Sequence, residues 1–155
     1  ITHATVGKIV DKGIKDANNM GAAMAPAAYD TLSTHFSDTG RKPSYYDLIV
    51  TGDLGTLGKG IVLDFFHKDG VDLQNLDDCG VLIYDAQGQD VHCGGSGCGC
   101  SAAVLTGFLL NGMREGRWKK ILFCGTGALL SPTSMQGESI PGICHAVAIS
   151  TQKGG

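Results

Sequence analysis

The residues equipped for chemistry fall in three short stretches. Asp53 follows the apolar run Asp47-Leu-Ile-Val50, and ligands of layered α/β sheets gather outside the carboxyl ends of such strands. A solvated turn aspartate, or a cap for a helix beginning near Gly55, is the plainer reading. Gly55-Thr-Leu-Gly-Lys-Gly60 sits between a strand and a helix and invites comparison with a phosphate loop. It fails the pattern, because Asp53 stands where the first glycine is required and Gly60 replaces the hydroxyl residue that would hold magnesium. Its backbone N–H groups could still cradle an anion, although a turn followed by a helix accounts for it. His92-Cys93 with Cys98-Gly-Cys100 offers soft ligands, but zinc sites space paired cysteines by two to four residues and need a second pair. Tight helix packing explains the small side chains of Gly97 to Ala103 better. Trp118 and Tyr45-Tyr46 flank strands and read as packing, His35 as a partly solvated residue near a helix end, and His67-Lys68-Asp69 as a polar helix end.

The chain that must position these groups has 155 residues, about one domain and long enough to bury a core without disulfides or metal. Twelve basic and 15 acidic residues give a net charge of −3. That excludes the basic excess by which a nucleic-acid binder is known. No apolar run approaches the roughly 18 residues of a membrane span. Glycine, at 24 residues against 4 prolines, is about twice its usual share, so tight turns and close backbone approaches are expected rather than collagen or a linker. The six cysteines are too sparse for a disulfide scaffold and no signal peptide is present. Cys124 and Cys144 lie in apolar runs and read as buried small hydrophobes. A start at Ile1, with no initiator Met, reads as a cut or a chosen boundary.

Residues 2–11 carry Thr, Val and Ile and predict a strand ending at Lys12-Gly13. Pro26 suits the first position of a helix, continued by Ala27, Ala28, Leu32, His35 and Phe36 and stopped at Thr39-Gly40. A short strand at 47–50 is followed by a helix from Thr56 to Gly70, on Leu57, Ile61, Val62, Phe65 and Phe66. Val81-Leu-Ile-Tyr84 fits strand or loop. The glycine-rich Gly94 to Ser101 leads into Ala102 to Asn111, which is small or apolar on every side and predicts a helix buried all round. Strands are expected at 120–124 and 143–149, with a long connection from Gly125 to Gly142, a length usual for functional or disordered loops. Alternating helices and apolar strands give a layered α/β fold.

Three strings are particular enough to carry a resemblance: Gly52-Asp-Leu-Gly-Thr-Leu-Gly-Lys-Gly60, Ser96-Gly-Cys-Gly-Cys-Ser-Ala-Ala103 and Gly125-Thr-Gly-Ala-Leu-Leu-Ser-Pro-Thr-Ser134. Met20-Gly-Ala-Ala-Met-Ala-Pro-Ala-Ala28 and Gln136-Gly-Glu-Ser-Ile-Pro-Gly142 fit the same pattern. With them the chain resembles, nearly end to end, the C-terminal half of the stage V sporulation protein AD family, thiolase-like proteins of spore-forming bacteria. The resemblance implies a thiolase-like α-β-α-β-α fold with a mixed sheet and a buried central helix. Residues 1–155 would be the C-terminal domain of a longer two-half chain. It also implies that this half alone leaves one sheet face open.

Thiolase-like enzymes draw a Cys nucleophile from the first half and a His pair, or His and Asn, from the second. At the positions the resemblance assigns, this chain reads Val50-Thr51-Gly52-Asp53 and Ser96, with Thr126 to Ser131 in the loop that carries a further cysteine in degradative thiolases. An ionised aspartate donates no hydrogen bond to an oxyanion, and serine is a poor general base near neutrality. The catalytic set is missing. What the resemblance then implies is a non-catalytic protein binding dipicolinic acid, possibly with calcium, and serving its uptake into the developing spore. Asp53, His92, Ser96, Cys98 and Ser131 are the candidate ligand-binding residues; no catalytic residue, metal ligand or cofactor is assigned. Backbone N–H and hydroxyl donors of Gly94 to Ser101 and Thr126 to Ser134 suit a planar dianion, with Lys59 and His92 as the only basic neighbours. The implied partners are the N-terminal half, a second copy in a homodimer and membrane proteins of the same system, with no nucleic acid. The implied place is the forespore, peripheral to its inner membrane, as a soluble chain with no transmembrane segment. The alternative is an acyl-thioester condensing or hydrolysing enzyme with His92 as base.

Overall fold

The computed structural model describes residues 1–132 and 138–152. Five strands, β1 (His3–Thr5), β2 (Leu48–Thr51), β3 (Leu76–Asp78), β4 (Lys120–Ala128) and β5 (Gly142–Ser150), form one mixed sheet in the order β1-β5-β4-β2-β3. Strand β2 runs parallel to β3 and β4, whereas β4-β5 and β5-β1 are antiparallel. Side chains alternate across the sheet, so Ile49, Leu122 and Cys124 enter one core while their neighbours Val50 and Ile121 enter another. Helices α1 (Met20–Thr39) and α2 (Gly55–Lys68) cover the first face. The second is covered by α4 (Cys100–Val104), a π-helical turn (Leu105–Leu109) and α5 (Leu110–Arg114), which bring Val104, Leu109 and Met113 onto the sheet. A short helix, α3 (Cys79–Leu82), follows β3 directly.

Helix α1 begins six residues before Pro26, which lies inside it rather than at its start. Asn19 accepts a hydrogen bond from the Ala22 N–H at 3.2 Å, and Gly21 meets Gly58 of α2 so closely that a Cβ on either would collide with the other's backbone or with Leu54. This cap and crossing outweigh the hydrogen bond that Pro26 denies to the preceding turn. The far end stops as expected, at Gly40 in the left-handed region (φ +64°).

Strand β1 covers only three of the residues predicted extended. Beyond Thr5 the chain leaves the ladder, Gly7 N–H donating to His145 Nδ1 at 3.1 Å, and rejoins it as a single bridge between Val10 and Gly142. Strand β4 instead runs on through Gly125-Thr-Gly-Ala128, giving nine residue pairs with β5, so the connection shortens to 129–141. His35 is fully buried, not partly solvated. Thr5 Oγ1 lies 2.7 Å from its Nδ1 and Tyr46 Oη 2.6 Å from its Nε2, tying β1, α1 and the approach to β2 together.

The helix expected to be buried all round is buried on one side only. Ala102, Ala103, Thr106, Gly107 and Phe108 face outward. The open surface on this side of the sheet is therefore mainly a helix face, continued over β4 and β5 by the half-buried Gly125, Gly127, Ile143 and Val147 and the exposed His145.

Candidate functional site

The carboxyl ends of β2 and β4 meet the start of α1 and the glycine-rich loop before α4. Asp53 joins them. Its Oδ1 accepts from Thr126 Oγ1 at 2.9 Å, and its Oδ2 from Ser96 Oγ at 3.3 Å and from Gly97 N–H at 3.2 Å. Its own N–H donates to Thr126 Oγ1 at 3.1 Å. Asp53 is thus the acceptor in a nest of donors drawn from the glycine-rich loop and the end of β4, not the helix cap. Beside it open two cavities. One, of about 330 Å³, is lined by Met20, Met24, Ser96, Cys98, Ser101 and Thr126 among others. Its neighbour, of about 430 Å³, shares Met20, Asp53 and Ser96 and extends past Asp16, Asn18 and Cys93.

The residue that fixes this corner is Asp78, which sequence reasoning missed. It is fully buried. Its Oδ2 accepts from Thr51 Oγ1 at 2.6 Å and Leu54 N–H at 2.9 Å, and its Oδ1 from Gly55 N–H and Gly80 N–H, both at 2.9 Å. Burial pushes the carboxyl group's pKa up, against the pull of those four hydrogen bonds. One side chain therefore caps α2, starts α3 and holds the 51–55 turn that carries Asp53. The glycine loop docks on the same knot, Gly95 N–H donating to the Gly80 carbonyl at 2.7 Å. A Cβ on Gly80 would lie 2.2 Å from the Gly95 carbonyl oxygen, and one on Gly94 2.3 Å from that of Gly80, so only glycine permits the approach. The signal in the sequence is Asp77-Asp-Cys-Gly80, an N-cap aspartate at the end of a strand; of the segment read as strand or loop at 81–84, Val81 and Leu82 end the helix it starts and Ile83 and Tyr84 turn away from it.

The structure brings Asp53, Ser96 and Cys98 together and leaves His92 and Ser131 apart. The His92 side chain is 88% exposed, 3.8 Å from Asp90 at φ +48°, and lines neither cavity. Ser131 lies past the end of β4 and lines neither. Thr133 and Ser134, expected donors, lie outside the described residues, as do Gln136 and Gly137 of the last motif. Lys59 turns to Asp77, 2.9 Å from its Oδ1, and among the described residues no lysine, arginine or histidine lines either cavity. The thiols divide. Cys93 and Cys98 are exposed, while Cys79, Cys100, Cys124 and Cys144 are buried. Burial pushes the Cys79 and Cys100 thiols up, the charges of Asp53 and Asp78 adding to it. His92 and the neighbouring cysteines do not converge, and among the described residues no three His, Cys, Asp or Glu side chains gather as metal ligands.

Against known proteins, the profile of the family described as Stage V sporulation protein AD (SpoVAD) matches residues 1–150. A curated relative of that description, from Bacillus subtilis (strain 168), is 49% identical over 156 residues, covering 99% of this chain and 46% of its own length. The chain spans about half the length of that relative.

Proposed function

This chain belongs to the stage V sporulation protein AD family, and on that premise we propose that it is part of a non-catalytic, thiolase-like protein that binds dipicolinic acid for uptake into the developing spore. Residues 1–155 form the C-terminal domain of that protein. Its other half packs against the outward face of α4 and α5, it pairs as a homodimer, and it works with membrane proteins of the same system, peripheral to the forespore inner membrane. The observation that carries the reading is the donor nest of Ser96, Gly97 and Thr126 around Asp53, opening on a cavity of about 330 Å³.

Those three donors are the kind that hold a carboxylate, and Asp53 engages all three. A pyridine dicarboxylate entering the cavity takes them over or reaches Asp53 through a cation. With Asp53 and Asp16 at the cavities and, among the described residues, no lysine or arginine in their lining, calcium or a group from the other half must offset the ligand's two charges. The acyl-thioester alternative has less to stand on, because His92, its required base, is solvated and turned from both cavities.

The test is calorimetric titration of the full-length protein with dipicolinate, with and without calcium. One saturable site per protomer is expected. Asp53→Asn should bind the free dianion about tenfold more tightly, as one pKa-sized repulsion is lifted, and the calcium-loaded ligand more weakly. No heat in either condition, together with steady thioester turnover abolished by His92→Ala, would replace the reading with the enzymatic one.

A further inference from the structure

At the opposite end of the sheet the charge changes sign. Arg41, Lys42, Arg114, Arg117, Lys119 and Lys120 supply six of the chain's twelve Lys and Arg residues, against four carboxylates, Asp38, Asp47, Asp72 and Glu115; the rest of the chain carries six basic and eleven acidic residues. Topology gathers them. Arg41 and Lys42 follow α1, Arg114 closes α5, and Lys120 opens β4 beside β2. Asp47 Oδ2 accepts the N–H groups of Lys119 and Lys120, at 2.7 and 2.9 Å, and locks the two loops side by side.

The cations stand on aromatic rings. Arg41 and Lys120 pack on Tyr45, at 4.4 and 4.0 Å from its centroid. Arg117 lies 5.1 Å from the centroids of both Trp118 and Phe108. Such contacts hold the side chains with their charged heads toward solvent, although Arg41 is half-buried and donates from Nη1 to Tyr46 Oη at 3.3 Å. Among the described residues only Arg117 of the six has a carboxylate in ion-pair range, Glu115 at 3.4 Å. Cations at the carboxyl ends of α1 and α5 complement the helix dipoles, but that accounts for Arg114 and Arg41, not for Arg117, Lys119 and Lys120 on the neighbouring loop. The 20-residue α1 separates this end from Met20 at the cavity by roughly 30 Å.

We propose that this basic, aromatic-backed end of the fold is a docking surface for a layer of anionic phospholipid headgroups. Three of its six cations are lysines, a residue depleted where proteins meet proteins and typical of patches that meet anionic lipid. Among the described residues Phe108 is the one large apolar side chain exposed against its cations, and it lies on the helix face assigned to the other half, so the patch has no apolar centre of its own for a protein interface. Partly buried Tyr45 and Trp118 beneath the cations match the aromatic residues found at headgroup depth. The inference does not depend on what the cavity binds.

The test is flotation of the full-length protein with vesicles of phosphatidylglycerol and phosphatidylcholine, and with phosphatidylcholine alone. Partition into the anionic vesicles only is expected, falling away at about 1 M salt, where the Debye length is near 3 Å. Each basic residue at such a surface is worth roughly fivefold in partitioning. Arg41→Gln, Lys42→Gln and Lys119→Gln together should therefore cost roughly 100-fold, and the three reversals to Glu more. Lys8→Glu and Lys12→Glu, which flank the Val10–Gly142 bridge at the other end of the sheet, should leave partition within about threefold of the unaltered protein. Circular dichroism and dipicolinate titration check that each variant is folded. Unchanged partition of the first set, or no partition of the unaltered protein, overturns the proposal. So does capture by polyglutamate or duplex DNA in preference to the vesicles, which would make the surface one for an acidic protein or a nucleic acid.

Discussion

Removing the Asp78 carboxylate should destabilise the protein by an amount that can be worked from its hydrogen bonds. In Asp78→Ala the N–H groups of Leu54, Gly55 and Gly80 lose their buried acceptor, at about 1–1.5 kcal/mol each. Thr51 loses least, because its hydroxyl also lies 3.3 Å from the Asp77 carbonyl and can turn to it. Against these losses stands relief from holding a carboxylate out of water. The expected net is about 3 kcal/mol, a factor of roughly 150 in the folded-to-unfolded ratio. Asp78→Asn keeps an oxygen for Gly55 and Gly80 and sets an amide NH₂ against the Leu54 N–H, so about half that loss is expected. Urea denaturation of the two variants measures both numbers, and hydrogen exchange at Gly80 and Gly95 reports whether the glycine loop loosens with them. An Asp78→Ala loss below about 1 kcal/mol, or an Asn variant as unstable as the Ala variant, would show that the carboxylate is not the knot of this corner.

Burial, aided by Arg41, holds the His35 pKa below its ordinary value, so the unfolded chain takes a proton first. Stability should be level above about pH 6.5 and decline below it, by up to about 1.4 kcal/mol per pH unit until the folded protein also protonates; a series of denaturation curves checks this, and His35→Gln should lose that component of the slope. Iodoacetamide should label Cys93 and Cys98 in the native protein and reach Cys79, Cys100, Cys124 and Cys144 only on unfolding, as mass spectrometry of digests would read; native labelling of Cys100 at the rate of Cys98 would contradict its burial. Thr126→Val removes both a donor to Asp53 Oδ1 and the acceptor of its N–H, and should weaken dipicolinate binding about tenfold in the same calorimetry, whereas Ser131→Ala should change it by less than twofold.

Much of the frame is legible in the sequence because its causes are local. The period of Leu57, Ile61, Val62 and Phe65 and the glycine stop at Gly40 specify helices through contacts three or four residues apart. The runs at 47–50, 120–124 and 143–149 specify strands with no reference to their partners. The resemblance added the family, and with it Asp53, His92, Ser96, Cys98 and Ser131 as candidate site residues, of which the fold gathers Asp53, Ser96 and Cys98 at one cavity. Where causes are distant, the sequence is silent or misleading. Pro26 marks a helix start by its own chemistry, yet α1 begins at Met20 because Gly21 must cross Gly58. His35 reads as a surface residue until Thr5 and Tyr46 close on its two nitrogens. Gly125 to Ala128 reads as loop, and becomes strand only because β5 pairs with it. Asp78 is legible in sequence as the cap of a short helix but not as the acceptor for Thr51, Leu54 and Gly55, and Thr126 stands seventy-three residues from the Asp53 it holds. Propensity and pattern act over one or two turns of backbone, whereas a buried carboxylate is satisfied by whichever donors the chain topology delivers to it.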